Sequence, residues 1–410
     1  MKIIHILDYL PYYHQKGGGA ERAAYNIIKL LEKNNHQNIV VTLKPDLKPA
    51  VNKEVVLKPV KQQERIIGWK LSFKKRIFNF DIFIFFQVLK ILKKERPDRI
   101  HIYNIPIISL APILAAWFLK IPVYYFIYDY WPFCAAKLLL DREGNHCQQY
   151  NSKKCQHCVA TNIFSERLNL KWRKKIHDFF LKKVTKFITL SNASAQEIIN
   201  YGFNKNKVTV VRLIVEDLKN LNKNFQPNII LYTGWLQQRK GLHVIIKAMP
   251  EIIKRHPNAE LIILNLQQTR EYRDYIDGLI KKFNLSKNIK WYAKISREEF
   301  QNILGSAGVV VIPEQWPNMS PVILLESMSA SKAIVASNIG GLPEFIDNGV
   351  SGYIAKHDSS ENFAQKISDL LNNPEKIKLF GENARKKFEE KFNQEIIYQQ
   401  LLKAYEPPMV

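Results

Sequence analysis

Residues 308–354 read GVVVIPEQWPNMSPVILLESMSASKAIVASNIGGLPEFIDNGVSGYI, and this stretch predicts the fold of the chain. A β-branched run from Val309 to Pro313 is followed by a polar turn, and then by an apolar segment from Val322 to Ser331 that is long enough for a buried helix. A second β-branched run, Ala333 to Ala336, leads to a glycine pair. This order of strand, loop, helix and strand predicts a parallel sheet, and open parallel sheets bind ligands at the carboxyl ends of their strands.

One carboxylate stands out within the predicted helix. Glu326 is flanked by apolar residues, where burying an unpaired Glu is costly, so we expect it to have a partner. Two alternatives follow from the residue alone. Either a backbone amide or a nearby lysine satisfies the carboxylate, or it receives two hydroxyls of a ribose.

The stretch resembles the donor-site motif of retaining glycosyltransferases of family 4, the glycosyl transferases group 1 type. That motif is a Glu, seven residues, a second Glu and then a Gly-Gly-x-Pro-Glu turn. Glu326 matches the second Glu, and residues Gly340 to Glu344 match the turn. Asn318 stands where the motif has its first Glu, and an amide keeps hydrogen-bonding capacity without the charge.

The resemblance implies that this loop and helix bind the donor. Asn318 and Glu326 are then catalytic positions. Because Pro321 has no N–H, the backbone contacts to the donor are expected from neighbouring residues, namely Met319, Ser320 and Val322.

A second donor-site segment follows the strand predicted at Asn228–Thr233. The family pattern there is Gly-Arg-Leu…Lys-Gly, whose Arg and Lys neutralise the donor diphosphate. Gly234 and Lys240 match, Trp235 replaces the Arg, and Arg239 supplies a charge from a neighbouring position. The resemblance therefore implies that Gly234, Arg239 and Lys240 bind the donor, and that Lys240 also acts in catalysis.

A glycine run follows the first predicted strand and precedes a helical pattern. Such a turn lets the backbone approach a ligand, with helix N–H groups free to meet negative charge, although a plain flexible turn is the alternative. Neither a G-x-G-x-x-G nor a Walker pattern occurs. The run resembles the Gly-Gly-x-Glu-Arg segment of the same family, which implies donor contacts at Gly18 and Gly19 and acceptor-side roles for Glu21 and Arg22.

The strand predicted at Pro122–Ile127 ends in Tyr128 and Asp129. In the family this strand usually ends His-Asp, so Tyr128 takes the place of the His and Asp129 is retained. The resemblance implies acceptor-side positions for both residues and a catalytic role for Asp129. A Tyr hydrogen-bonds but is a poor base.

The four cysteines of the chain lie in a predicted insertion at about 131–160. They are Cys134, Cys147, Cys155 and Cys158. Four thiols in one short polar segment suit a tetrahedral zinc ion, and disulfides are not expected without an export signal. Similar insertions occur in related enzymes. A structural zinc is our prediction, with an iron–sulfur cluster or reduced thiols as the alternatives.

Length and composition predict a folded chain of two domains. At 410 residues the chain exceeds the size that one core usually supports, and its 46% hydrophobic content is that of a globular protein. Met1–Leu7 run directly into a predicted strand, so we expect no signal peptide and a cytoplasmic location. The longest apolar stretch, Ile105–Leu119, is too short to span a bilayer.

The net charge of +24 predicts an anionic partner, which is a nucleotide, a membrane surface or a nucleic acid. Aromatic and basic residues alternate between Arg65 and Arg99, and Lys171–Lys186 form a basic helical pattern. Such segments lie on an anionic bilayer, or else they turn their aromatic side chains into the core. Only the charge suggests nucleic acid, so we expect no nucleic-acid partner.

Taken over the chain, the resemblance implies an α/β protein of GT-B architecture, with two Rossmann-like domains facing each other across a cleft. We predict an acceptor-side domain at 1–215, a nucleotide-sugar-binding domain at 216–392 and a final helix at 393–410 that returns to the first domain.

The implied activity is retaining transfer of a sugar from a UDP- or GDP-sugar to a glycan or lipid-linked acceptor at the inner membrane face. No cofactor is required for this catalysis. The departures from the family pattern at Asn318, Tyr128 and Trp235 support an alternative function. In it, the chain is a catalytically weak subunit that binds a nucleotide sugar and anchors a partner at the membrane.

Overall fold

A computed structural model describes residues 1–15, 18–47, 56–60, 79–152, 155–159, 164–219, 221, 225–293 and 295–406, without the side chains of 164–169 and 265–267. The chain forms two compact units. The first unit consists of Met1–Ile214 and Ile397–Val410, and the second of Val215–Ile396. Residues 65–78 of the predicted basic aromatic segment lie outside the described residues.

The first unit is built on a parallel sheet with the strand order β3-β2-β1-β4-β5-β6-β7. Its strands are β1 (Lys2–Ile6), β2 (Gln37–Leu43), β3 (Val56–Val60), β4 (Arg99–Ile102), β5 (Val123–Phe126), β6 (Lys186–Thr189) and β7 (Val208–Val210). Its described helices are α1 (Gly19–Lys33), α2 (Ile82–Glu95), α3 (Ala111–Phe118), α4 (Cys155–Cys158), α5 (Phe164–Leu181) and α6 (Asn192–Tyr201).

The second unit is built on a parallel sheet with the order β10-β9-β8-β11-β12-β13. Its strands are β8 (Gln226–Leu236), β9 (Glu260–Gln268), β10 (Ile289–Ala293), β11 (Ala307–Ile312), β12 (Ala333–Ser337) and β13 (Tyr353–Ala355). Its described helices are α7 (Leu242–Arg255), α8 (Arg270–Lys282), α9 (Arg297–Ser306), α10 (Val322–Ser329), α11 (Ser360–Leu371) and α12 (Pro374–Lys391).

The last helix, α13 (Gln394–Tyr405), packs into the core of the first unit. Its buried residues Ile397, Leu401 and Ala404 join the cluster that contains Ile3 of β1 and Ile28 of α1. The C-terminal end of the chain therefore contributes to the stability of the unit in which the chain begins.

Two inner strands of the second sheet are buried along their whole length, as expected where helices cover both faces of a parallel sheet. Every residue of β11 and of β12 is buried. The β-branched runs from which these strands were predicted are therefore the centre of the second unit's sheet.

Both sheets place the first strand of their unit inside the sheet. β1 lies between β2 and β4, and β8 lies between β9 and β11. The strand order thus reverses between β1 and β4 and between β8 and β11. Crevices at the carboxyl ends of such strand pairs are the usual ligand sites of open parallel sheets.

The start of the second unit is fixed by two ion pairs, in which Glu216 binds Arg297 and Asp217 binds Arg385. In the first unit, the Ser191 side chain caps the first turn of α6. The short edge strands β3 and β13 were not predicted from the sequence. Across the described residues, every helix is too short or too polar to cross a bilayer.

Candidate functional site

Three loops meet at the carboxyl edge of the second sheet, where β8, β11 and β12 are neighbours. The Gln315 amide donates to the carbonyl of Arg239, at 2.8 Å, and thereby joins the loop after β11 to the loop after β8. The Gly341 amide donates to the carbonyl of Asn318, also at 2.8 Å, and joins the loop after β12 to the same β11 loop. The loops that the sequence predicted for donor binding are thus held together by their backbones.

Two glycines allow this close approach. Gly241 has φ of 72°, and a Cβ on it would lie 1.7 Å from the carbonyl oxygen of Pro313. Gly340 has φ of 60°, and a Cβ there would lie 2.4 Å from the carbonyl oxygen of Asn318. Both positions therefore require glycine for conformation and for space.

Glu314 is the hydrogen-bonding centre of these loops, and the sequence analysis missed it. Its side chain is 4% exposed. Its Oε1 atom accepts from Lys240 Nζ at 2.5 Å and from Asn318 Nδ2 at 2.9 Å, and its Oε2 atom accepts from Trp316 Nε1 at 2.5 Å. Two of the three donors, Lys240 and Asn318, are residues that the sequence predicted as catalytic.

Asn318 links the carboxylate to the next turn of the chain. Its Oδ1 atom accepts from the Ser320 amide at 3.2 Å, while its Nδ2 donates to Glu314. Met319 and Ser320 are buried beside it. The Ser320 hydroxyl is buried without a hydrogen-bond partner among the described residues.

The two predicted cations of the donor site lie near one aromatic ring. The Arg239 guanidinium is 5.0 Å and the Lys240 ammonium 5.8 Å from the centroid of Trp316. Arg239 also lies 5.9 Å from the Trp235 ring and donates to Gln237. Cation–π contacts of this kind attract a cation to the face of the ring.

Helix α10 begins at Val322, immediately after Pro321, which occupies the N-cap position without a side-chain cap. The first amides of a helix carry partial positive charge and favour an anion at this end. Gly234 lies half-buried in the last part of β8. These two backbone positions belong to the same carboxyl edge as Lys240.

Glu326 is buried in α10 and pairs with an arginine that neither sequence alternative named. Its Oε1 atom lies 2.8 Å from Arg297 Nη1. Arg297 Nη2 in turn lies 2.9 Å from Glu216. Arg297 belongs to α9, and no local motif relates it to Glu326. The ribose-binding role of Glu326 stays a prediction.

The first unit holds the other predicted site residues at its own carboxyl edge. Gly18 is the N-cap of α1, and its amide donates to Glu21 Oε2 at 2.7 Å. Gly19 and Arg22 are exposed in the first turn of the helix. Glu21 thus fixes the glycine turn, a structural task that its predicted acceptor-side role did not include.

Asp8, two residues after the end of β1, is a second buried carboxylate that the sequence analysis missed. Its two oxygens accept from the amides of Ile107 and Ile108, each at 2.8 Å. Burial raises the pKa of Asp8 to about 7, against the lowering effect of these two hydrogen bonds. The signal that would have found it is an acidic residue just after a strand that is almost entirely buried.

Tyr128 and Asp129 follow β5 as predicted. Asp129 Oδ1 accepts from the Trp131 amide at 2.8 Å. The Tyr128 ring stacks on Tyr103 at 5.9 Å between centroids. Burial raises the pKa of Tyr128 above its usual range, so its hydroxyl stays protonated at neutral pH and serves as a hydrogen-bonding group only.

The four cysteines form no disulfide, with Cys134 and Cys155 buried and Cys147 and Cys158 partly exposed. Burial, together with the nearby thiols of the other three, raises the pKa of Cys155 to about 11. Within the described ranges, no group of three or more His, Cys, Asp or Glu side chains is placed to hold a metal ion. Zinc binding therefore stays a prediction.

Two family models match the chain in succession. Residues 17–217 match the model described as Glycosyltransferase Family 4, and residues 215–387 match Glycosyl transferases group 1. The boundary between the two models falls at the start of the second unit.

Two curated relatives show the extent of the similarity. The spore coat protein SA of Bacillus subtilis is 29% identical over 183 residues, which are 43% of this chain and 48% of that protein, so the chain spans about half the length of this relative. The capsular polysaccharide biosynthesis glycosyltransferase CapM of Staphylococcus aureus is 25% identical over 353 residues, which are 85% of this chain and 87% of that protein.

Among solved structures, Anabaena HepE in complex with UDP and glucose superposes with a TM-score of 0.71 at 17% identity, over 98% of both chains. At this identity the likeness is one of fold. It confirms the predicted GT-B class, with its pair of Rossmann-like domains.

Proposed function

The chain belongs to the glycosyl transferases group 1 family, and from this premise we propose that it is a glycosyltransferase that moves a sugar from a nucleotide-sugar donor to a glycan or lipid-linked acceptor. The observation that carries the proposal is the meeting of three loops at the carboxyl edge of the second sheet, where Arg239, Lys240 and the start of α10 all lie. Positive groups fixed in this way suit a diphosphate.

The proposed reaction is retaining transfer. The bond between the anomeric carbon of the sugar and the diphosphate oxygen breaks, and an acceptor hydroxyl forms its new bond on the same face of the sugar while its proton passes to the departing diphosphate oxygen. Negative charge develops on the leaving diphosphate, where Lys240, Arg239 and the amides of α10 stabilise it. With these groups bearing the charge, the proposed catalysis requires no metal cofactor.

For the donor we propose a UDP- or GDP-sugar. HepE, a structural neighbour, was solved with UDP and glucose, which makes UDP-sugars the first donors to test. Glu326 is the proposed partner of the ribose hydroxyls. Its present partner Arg297 is bound to Glu216 as well, so Glu326 has an ion pair that a ribose would share or displace.

On the acceptor side we propose that Asp129, Tyr128, Glu21 and Arg22 hydrogen-bond to the acceptor in the first unit. CapM is named for capsular polysaccharide biosynthesis, and the spore coat protein is also a surface component by its name. Synthesis of a surface polysaccharide or glycoconjugate is the process that these relatives suggest.

We further propose that the first unit binds an anionic membrane at the cytoplasmic face. Helices α2, α3 and α5 carry large aromatic side chains that are 50–59% exposed, namely Phe86, Trp117, Phe118, Trp172 and Phe179. We call them the aromatic patch. Next to it, an open apolar groove of about 390 Å³ is lined by residues around Phe80 and Phe179. Exposed apolar surface on this scale is typical of interaction sites.

Lysines lie among these aromatic rings. Lys183 Nζ is 4.9 Å from the centroid of Trp117 and 3.7 Å from that of Phe179, and Lys175 Nζ is 4.7 Å from that of Trp172. Aromatic rings at the headgroup level with cations beside them match an anionic bilayer in both polarity and charge. This composition favours a membrane over an acidic soluble protein.

Vesicle binding tests the membrane proposal. Binding to vesicles with anionic lipid should fall steeply as salt rises, because each Lys near the surface contributes about 1 kcal/mol that ions screen. Reversing Lys175, Lys182 and Lys183 to Glu should weaken binding more than reversing the matched exposed set in the second unit, namely Lys254, Lys281 and Lys282. Equal binding to neutral and anionic vesicles, or none to either, would remove the proposal.

A second candidate function rests on Asn318, which stands where the family motif has a carboxylate. In this alternative the chain binds a nucleotide sugar, transfers it slowly or not at all, and anchors a partner at the membrane. Donor binding without turnover, for every acceptor tested, would favour it over the enzyme.

We also propose a structural zinc ion bound by the four cysteines. Binding would release protons from thiols such as Cys155, whose pKa is raised, so affinity should increase with pH. Elemental analysis of reduced, chelator-washed protein should find about one zinc per chain. If that sample contains neither zinc nor iron, the proposal is wrong and the four cysteines are thiols without a tightly bound metal.

A donor screen tests the main proposal. Wild-type protein is heated with UDP-, GDP- and ADP-sugars, and the true donor should raise the unfolding temperature with the logarithm of its concentration. The same donor should then release its nucleoside diphosphate when acceptor is added. If no nucleotide sugar stabilises the protein or is turned over, the proposed function is wrong.

A further inference from the structure

Glu314 is a buried carboxylate placed among the residues assigned to the donor. It occupies the second position after β11, and its side chain is 4% exposed. Removing a carboxylate from water is unfavourable unless good partners replace the water. The three hydrogen bonds from Lys240, Trp316 and Asn318 are such partners.

The backbone fixes the position of this carboxylate. The neighbouring Gln315 amide donates to the carbonyl of Arg239, and Gln315 Nε2 donates to that of Pro313 at 2.8 Å. Because the loop is tied on both sides of Glu314, the side chain is aimed by a rigid segment. A rigid support is what an accurately placed charge requires.

Asn318 relates Glu314 to the family motif. Asn318 stands at the position of the first motif Glu, and its amide nitrogen lies 2.9 Å from Glu314 Oε1. A negative charge is therefore present in this loop, one side chain away from the position where the motif has it.

We propose that Glu314 is the positioning residue of the donor site, supplying the carboxylate that position 318 lacks and orienting Lys240 and Asn318 for transfer. The proposal rests on the proposed function of the same site. One oxygen of Glu314 holds both residues, while Trp316 holds the other oxygen and fixes the plane of the carboxylate.

The Lys240 ammonium keeps donor capacity in this arrangement. It has three N–H groups, and one of them suffices for Glu314. Because the ion pair fixes the position of the ammonium, its remaining N–H groups are oriented before a diphosphate binds. Without Glu314 the lysine keeps its charge and loses its orientation.

Glu314→Gln should have two separate effects, one on binding and one on turnover. The affinity for a nucleoside diphosphate should stay the same or increase, because a negative charge near the phosphates is removed. The turnover number should fall by about tenfold or more, because Lys240 and Asn318 lose the acceptor that orients them. A merely structural role would lower both together.

Moving the carboxylate to position 318 gives the sharpest test. In the wild-type background, Asn318→Glu puts two carboxylates in hydrogen-bonding proximity, and their repulsion should lower turnover. In the Glu314→Gln background, the same substitution restores one carboxylate at the motif position and should raise turnover. The effect of Asn318→Glu is therefore expected to change sign between the two backgrounds.

A third variant guards against a folding defect. Gln at 314 can present its amide nitrogen to the indole N–H of Trp316, which would oppose two donors. Glu314→Gln with Trp316→Phe removes that conflict and should fold as wild type while retaining low turnover. Glu375→Gln, at an exposed position of α12, is the matched control and should leave both readouts unchanged.

The experiment measures UDP, GDP and ADP affinity by calorimetry, and release of nucleoside diphosphate from the corresponding sugars, for wild type and all variants. The change of sign at position 318 and the separation of affinity from turnover at position 314 are expected. If wild type is active but Asn318→Glu acts in the same direction in both backgrounds, the Glu314 assignment is wrong while the proposed function stands. If wild type neither binds nor turns over any of these nucleotides, both are wrong.

Discussion

The carboxylates at the two carboxyl edges have different kinds of partner. In the second unit, Glu314 accepts from the Lys240 ammonium and Glu326 pairs with the Arg297 guanidinium. In the first unit, Asp8, Glu21 and Asp129 each accept from backbone amides.

This difference separates exchangeable partners from fixed ones. A side-chain cation can turn from a carboxylate to a phosphate, whereas a backbone amide moves only with its loop. The second unit thus carries charge pairs whose cations can turn to the phosphates of the proposed sugar donor. The first unit carries carboxylates that backbone amides hold at fixed positions, an arrangement that suits the hydroxyl groups of a neutral sugar acceptor.

Removing the lysine of the first pair should have the largest effect. Lys240→Ala leaves the buried Glu314 without its cation, and breaking a buried pair in this way costs about 3–5 kcal/mol of unfolding free energy. Donor affinity should also fall, since losing a charged hydrogen-bond partner costs about 1.5–3 kcal/mol. Urea unfolding followed by tryptophan fluorescence and calorimetric titration of donor measure the two effects.

A double variant separates these effects. Lys240→Ala with Glu314→Gln removes the stranded charge, so stability should largely return while donor affinity stays low. Lys378→Ala, which breaks an exposed pair with Glu375, is the control and should change neither quantity by more than about 1 kcal/mol. Recovery of donor affinity in the double variant would show that Lys240 acts only on stability.

The second pair gives an intermediate effect. If Glu326 receives the ribose hydroxyls, Glu326→Ala should weaken UDP binding by about 1.5–3 kcal/mol and weaken binding of 2′-deoxy-UDP less. Arg297→Ala should retain the preference for the ribose form, because it leaves the carboxylate in place. Titration of both nucleotides into each variant gives the comparison. An unchanged ribose preference in Glu326→Ala would assign this carboxylate to structure alone.

The buried acid of the first unit gives the most gradual effect, a slope of stability with pH whose change per pH unit is the smallest of these changes. The pKa of Asp8 is 3.8 in the unfolded chain and about 7 in the folded one, so the folded state binds the extra proton. The unfolding free energy should therefore fall as pH rises from about 4 to about 7, by about 1.4 kcal/mol per pH unit at most, and then level off.

Asp8→Asn is the control for this slope. It removes the titrating group, so its stability should vary less with pH over the same range, whatever its absolute value. Urea unfolding of both proteins at pH 5, 6, 7 and 8 measures the difference. Equal slopes would mean that other groups produce the pH dependence and that Asp8 is ionised in the fold.

Hydrophobic pattern predicted the centre of the fold and missed its edges. Runs such as Val309–Ile312 are apolar because helices cover both faces of the sheet, so sequence alone shows them. The edge strand Tyr353–Ala355 has three residues, too few for a pattern. Val56–Val60 contains Lys and Pro and gives no strand signal.

The site was predicted to the extent that it is local in sequence. Lys240, Asn318 and Glu326 were found from motif spacing, but their partners lie on other elements. Arg297 reaches Glu326 from α9, a tertiary contact that no spacing encodes. Glu314 was missed because the family motif has its first carboxylate at position 318 and none at position 314. The available signal was an acidic residue just after a fully buried strand.

The central claim is that the second unit's carboxyl edge binds the nucleoside diphosphate. Thermal unfolding with increasing UDP and GDP, measured for wild type, Lys240→Ala and Asp129→Asn, tests it most directly. We predict that one nucleotide stabilises wild type and Asp129→Asn alike. Its apparent affinity for Lys240→Ala, obtained from the same unfolding curves, should be lower by about tenfold or more. Equal stabilisation of all three proteins, or loss in Asp129→Asn alone, would contradict the account.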